Sequence, residues 1–278
     1  MITRRTRTAG RQCAWRGRAD RDTDWIVVVM HQTAISTADH FNGSDRGVRE
    51  QWLPLFDSHG VDLVVCGHEH HYERSHPVRG AQANDALTPL PAATDTSTVD
   101  TTLGTVHLVI GGGGTSVPSN GLFFDPPAGR VITGVEPVGD NGKRPASYVP
   151  ESAPFSAVRD RTHPYGFAAF DVDPGTRPGG PTTIAVTYYA VTGPYGELPA
   201  VNQVTLVRPR RDGRRWPDAA TAGDAVAGQR QRSAWPQSGP ATPYTAVPAG
   251  SSQQVSAYRP SGVLRVFSRY SAGRRSIT

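Results

Sequence analysis

The chain has 278 residues and a formal charge of +5, a length that allows one large domain or two small ones. Its 30 glycines and 24 prolines, against 19% charged residues, make it loop-rich, and no apolar stretch reaches the roughly 20 residues that a membrane-spanning helix needs. Lys143 is its only lysine, so the basic balance is a diffuse excess of Arg, without the interleaved aromatics of a nucleic-acid stacking surface.

Residues 1–24 are polar and basic and read as a disordered or ill-fitting leader. The twin Arg4–Arg5 is followed by no apolar core of the kind a signal peptide requires. Cys13 lies in this leader, and with Cys66 it gives neither a metal spacing nor a disulfide framework. "WIVVVMHQ", 25–32, is too short for a buried helix and rich in β-branched residues, so it reads as a central strand with His31 at its carboxyl end. In 39–60, Val48, Trp52, Leu55 and Phe56 recur at helical spacing and Gly60 suits a helix stop; Pro54 implies a kink or two short pieces. "VDLVVCG", 61–67, is a second buried strand, which completes a βαβ unit with parallel pairing.

Residues 81–102 read as a long surface loop, and "GTVHLVIGGGG", 104–114, as a third strand. The Gly/Pro-rich stretch between Pro118 and His163 reads as an extended decoration over the sheet. "YGFAAFDVD", 165–173, and "TTIAVTYYAV", 182–191, alternate as a hairpin pair, and "NQVTLVRPR", 202–210, reads as an edge strand. Residues 211–278 are low-complexity and are expected to be a disordered tail, with a short strand only at "GVLRVF", 262–267. Residues 25–210 are therefore the folded domain.

The chemistry concentrates in "GHEHHYERS", 67–75. His68 and His70 straddle Glu69 at a strand end, where alternate residues point the same way. His31 ends a neighbouring strand, and open α/β sheets bind ligands at the carboxyl ends of their strands. Neutral imidazole suits Zn, Fe and similar ions. His59, His76, His107 and His163 stand alone and read as structural.

"VVVMHQ" followed by "GHEHHYER" resembles the calcineurin-like metallophosphoesterases, and most closely their purple acid phosphatase branch. The likeness spans roughly 24–210. It implies a partial metallophosphoesterase sandwich of the α/β class, with a mixed β-sheet and flanking helices and the N-terminal half missing. His31 and His68 resemble two ligands of one metal, and His70 a ligand of the other. His40, nine residues after His31, resembles the catalytic histidine near the phosphate. Tyr72, Glu73 and Arg74 resemble supporting residues, with packing and a local salt bridge as their expected role. The implied cofactors are divalent or trivalent transition metals, Fe with Zn, Mn or Fe. The implied substrate is a phosphorylated small molecule or other phosphoester, and the implied reaction is monoester hydrolysis by a metal-bound hydroxide. Relatives of this kind are often exported.

The family's acidic ligands precede the first histidine strand, and their motifs do not occur upstream of His31. Asp20, Asp22 and Asp24 match none of them and read as the solvated end of a helix or loop. Two metals about 3.5–4 Å apart need such carboxylates, so two-metal catalysis is expected to be impaired. The alternative reading is a non-catalytic metal- or phosphate-binding fragment. A third, with thinner support, is polyanion binding through the Arg-rich ends.

Overall fold

The computed structural model describes residues 24–39, 43–114, 117–140, 142, 144–177, 179–193, 196–210, 253–259 and 262–268. In chain order, β1 (Val27–Val29) and β2 (Ser44–Asp45) lead into helix α1 (Arg46–His59). Then come β3 (Leu63–Cys66), β4 (Tyr72–Ser75), β5 (Val78–Ala81), β6 (Pro89–Pro91), β7 (Thr98–Asp100) and β8 (Val106–Ile110). Next are β9 (Ala128–Val135), β10 (Ala146–Ser152) and β11 (Ser156–Arg159). β12 (Gly166–Asp173), β13 (Pro181–Ala190) and β14 (Ala200–Pro209) follow, and β15 (Gln253–Arg259) and β16 (Gly262–Ser268) close the series.

The central sheet has the order β1-β3-β8-β4-β11. β1, β3 and β8 run parallel, with Val28 opposite Val64 and Val65 opposite Leu108; β4 and β11 join antiparallel. The fold is thus α/β with a mixed sheet, and the βαβ unit pairs parallel as its apolar runs require. Alternation sends Val28, Val64 and Cys66 toward Leu53 and Phe56 of α1. Val27, Leu63, Val65, Val106 and Leu108 face the second sheet and meet Ile184, Val186, Tyr188, Val204 and Leu206. Covering on both faces is why these strands are apolar throughout.

Helix α1 starts at Asp45, whose Oδ1 accepts from the Val48 amide at 2.9 Å. It stops at Gly60, which takes the left-handed conformation at φ 59° while the Val61 amide returns to the Phe56 carbonyl. The helix runs unbroken through Pro54, so the two-piece expectation is corrected. Pro54 lies on the exposed face, where water can take the carbonyl it leaves unbonded. It is the one helix among the described residues, fewer than the flanking helices expected. No described helix is long and apolar enough to cross a membrane.

The second sheet has the order β12-β13-β14-β7. β14 is interior, not an edge, because Thr98–Asp100 pairs parallel along its outer side. That strand, with β6, lies inside the 81–102 stretch read as loop. Its three residues are too few for a periodic signal. The 118–163 stretch holds the β9–β10 hairpin, which pairs with β2, and also β11 of the central sheet. β15 and β16 pair antiparallel; the remainder of 211–278 lies outside the described residues.

Buried ion pairs tie the layers. Arg208 meets both Asp62 oxygens at 2.6 Å, and Asp62 also accepts from the Ile26 amide and the Thr101 hydroxyl. Arg49 of α1 holds both oxygens of Glu151 on β10, at 2.7 and 2.6 Å. Asp24 is buried beside Arg210, 3.7 Å away, and is not on a solvated end as its neighbours in sequence suggested.

Candidate metal centre

The parallel ladder of β1 and β3 continues past the strand ends. The Met30 amide donates to the Val65 carbonyl at 3.0 Å, and the His68 amide donates to the His31 carbonyl at 3.0 Å. This register sets the two imidazoles side by side at one rim. His31 Nε2 and His68 Nδ1 are 2.9 Å apart, with the rings edge to face at 4.8 Å between centroids. An open apolar hollow of about 360 Å³ adjoins them, lined by Val29, Met30, Val65, Cys66 and Ile110.

His70 leaves the strand on the same partly exposed side as His68, while Glu69 and His71 point inward and are fully buried. The His70 Nδ1 lies 2.8 Å from the Val117 carbonyl. His40 lies outside the described residues. Its flanks are both tied to the histidine segment. Glu73 accepts from the Thr37 amide, at 2.9 and 3.0 Å to its two oxygens, and from the Thr37 hydroxyl at 2.7 Å. Glu69 accepts from the Gly43 amide at 2.9 Å.

Tyr72, Glu73 and Arg74 are buried and each is hydrogen-bonded. Tyr72 stacks on Tyr188 at 4.0 Å and donates to Asn202 at 2.7 Å. Burial pushes its phenol up to about 12, so it stays neutral. Arg74 donates to the Thr96 carbonyl at 2.8 Å. The polar partners of Glu73 are Thr37 and His71, the latter at 3.2 Å. The four-glycine run approaches the site closely. A Cβ at Gly111 would stand inside contact distance of the Gly67 and Glu69 carbonyl oxygens.

Burial, and then the neighbouring His31 and His70 charges, hold the His68 imidazole below its ordinary range; Asp45 opposes this. A ring kept neutral is ready to ligate a metal. Asp45, the cap of α1, is thus a carboxylate near His68 that lies downstream of His31, outside the region where the resemblance places the acidic ligands.

Two imidazole nitrogens each about 2 Å from one ion stand about 2.9 Å apart at the right angle of six-coordination and about 3.3 Å apart at the tetrahedral angle usual for zinc. The His31–His68 pair has the shorter separation, which is also a hydrogen-bond distance. Among the described residues, however, no group of three or more His, Cys, Asp or Glu side chains gathers to a metal's dimensions. The pair fits as part of a one-ion site, and the described residues do not make a dinuclear centre. Cys66 is not a ligand candidate, because burial pushes its thiol up to about 12 and its sulfur meets the Gln32 carbonyl at 3.3 Å.

A mixed sheet covered by a helix on one face and a second sheet on the other, with paired histidines at parallel strand ends, is an α/β architecture of the kind the metallophosphoesterase resemblance implies. The calcineurin-like phosphoesterase family model matches residues 2–72. The match lies at the N-terminal end of this chain and takes in the leader that read as ill-fitting, so it is placed differently from the 24–210 likeness expected.

The chain is 61% identical over 197 residues to an uncharacterized protein of Mycobacterium tuberculosis, in each of two strains; this covers 69% of the chain and 36% of the relative. It is 30% identical over 94 residues to a purple acid phosphatase of Glycine max, covering 34% of the chain and 19% of that protein. A purple acid phosphatase from yellow lupin seeds overlaps 75% of the chain and 29% of its own, at a TM-score of 0.46 and 18% identity. The chain spans about a third of the length of the Mycobacterium relatives it matches.

Proposed function

We propose that this chain carries part of a metal-dependent phosphoesterase that hydrolyses phosphate monoesters in the manner of the purple acid phosphatases. The observation that carries the reading is the 2.9 Å pairing of His31 Nε2, at the end of "VVVMHQ", with His68 Nδ1 in "GHEHHYER". His31 and His68 would hold one metal, Fe, Zn or Mn, and His70 would face a second. A bound metal supplies Lewis-acid polarisation of the phosphoryl oxygen and a nucleophile at neutral pH. The chain's own residues hold the His68 imidazole below its ordinary range, orient His70 through the Val117 carbonyl and line the strand-end hollow with Val29, Val65 and Ile110. His40 is assigned the role next to the phosphate on the resemblance alone.

A second reading, a metal- or phosphate-binding chain without turnover, is favoured by one observation: the described residues gather no set of three ligating side chains. Metal analysis of the full chain, followed by hydrolysis of a generic aryl phosphate with Zn²⁺, Mn²⁺ or Fe, separates the two. Metal-dependent hydrolysis that disappears in His31→Ala and His68→Ala supports the first. Bound metal lost in those variants, with no turnover in the parent, supports the second. A parent chain that binds neither metal nor inorganic phosphate overturns both.

A further inference from the structure

Behind the candidate site lies a buried polar relay. His71 Nε2 is 3.2 Å from the Glu73 carboxylate and His71 Nδ1 is 2.8 Å from Ser119 Oγ. Ser119 and His71 are both 0% exposed and Glu73 is 2% exposed. A serine, a histidine and a carboxylate in that order have the arrangement of a nucleophile with its base. Full burial removes that function, because no substrate reaches the hydroxyl. The relay has another outlet. The Ser119 amide donates to the His70 carbonyl at 2.9 Å, and two residues earlier the Val117 carbonyl meets His70 Nδ1 at 2.8 Å.

Hydrogen-bond chemistry fixes the proton positions. A carbonyl oxygen only accepts, so His70 Nδ1 carries the proton and the lone pair of the neutral ring is on Nε2. A carboxylate only accepts, so His71 Nε2 carries a proton and, in the neutral ring, Nδ1 accepts from the Ser119 hydroxyl. We propose that Ser119 is a positioning residue: anchored by His71 and Glu73, it holds segment 117–119 against His70 and locks that imidazole in its Nδ1–H tautomer. The tautomer follows from this geometry; its use in metal binding rests on the reading of His70 as a ligand given above. Groups that fix a ligating histidine in this way matter to a metal site nearly as much as the ligand itself.

The test is ¹⁵N NMR of the histidine rings in the full chain without metal, followed by titration with Zn²⁺ alone. The parent is expected to show His70 protonated on Nδ1 and His71 on Nε2. Ser119→Ala is expected to leave His70 as a mixture of tautomers and to weaken Zn²⁺ binding by about 10–100-fold. Ser119→Thr, which keeps the hydroxyl, is expected to restore the single tautomer. A parent His70 protonated on Nε2 overturns the proposal without any variant. So does a folded Ser119→Ala in which His70 keeps its single Nδ1–H form. A parent with the expected tautomers that binds no Zn²⁺ leaves the lock standing and overturns the ligand reading of His70.

Discussion

Arg208 on β14 grips both carboxylate oxygens of Asp62 at 2.6 Å, across the interface between the two sheets and with both side chains almost completely buried. Burial raises the Asp62 carboxyl and Arg208 opposes it, so the charged form depends on its partner. Asp62→Ala is therefore expected to destabilise the fold by about 3–5 kcal/mol, because it strands a buried guanidinium. Replacing both partners, Asp62→Leu with Arg208→Met, is expected to recover most of that loss. Urea denaturation of the parent and the two variants measures it. A single variant within about 0.5 kcal/mol of the parent would refute the role assigned to the pair.

His107 sits on the helix side of β8, buried, with its ring 6.1 Å from Phe56. Neither ring nitrogen has a hydrogen-bond partner. Burial, with the nearby Arg49 charge, pushes it down to about 3. The folded pKa is depressed below the unfolded value of about 6.5. The unfolded chain therefore takes up a proton that the folded chain refuses, and stability falls as pH drops from about 6.5 toward 3. The loss between pH 6.5 and 5 is expected to be about 2 kcal/mol. His107→Phe should flatten this part of the profile, as read by urea midpoints at both pH values. An unchanged slope in His107→Phe would show that other groups carry the acid sensitivity.

The parallel core was legible because β1, β3 and β8 are covered on both faces, and burial of that kind forces unbroken apolar runs such as Val27–Val28–Val29. The His31–His68 contact was legible for the same reason. Parallel neighbours end at one rim, and the register that pairs Val29 with Val65 carries both histidines there. What escaped was short or long-range. Thr98–Asp100 has three residues and no period, yet it displaces β14 from the sheet edge. Ser119 and Thr37 lie 48 and 36 residues from their partners His71 and Glu73, and a polar residue in a loop carries no sign of a distant acceptor. Asp45 caps α1, and its nearness to His68 arises only when the βαβ unit closes.

Glu73 is the hub of the buried polar cluster, holding the amide and hydroxyl of Thr37 and the His71 ring at once. Glu73→Ala leaves these donors buried without an acceptor, each at a cost of about 1–3 kcal/mol. The local consequence is more telling than the global one. The Thr37 amide is expected to exchange with solvent at least about tenfold faster, while amides of β3 keep their protection relative to the lowered global stability. Hydrogen exchange read by NMR or mass spectrometry checks this. Uniform loss of protection across β3 and the 33–38 loop would show that Glu73 supports the whole fold and not the loop beside the site.

Gly111 is the point where the end of β8 passes closest to the histidine segment. A Cβ there meets the Gly67 and Glu69 carbonyl oxygens, and these are backbone atoms that no rotamer change can move aside. Accommodation requires the 67–69 backbone to shift, and His68 with it. Gly111→Ala is therefore expected to destabilise the chain by about 1–3 kcal/mol, the usual range for overpacking. It should also move the His68 ring resonances and weaken Zn²⁺ binding. Gly121 provides the control: a Cβ there meets nothing within 4 Å, so Gly121→Ala should change stability by no more than about 0.5 kcal/mol. Thermal melts and Zn²⁺ titrations of the two variants decide the matter. If Gly111→Ala matched Gly121→Ala in both, the close approach of the glycine run would have no part in holding His68 beside His31.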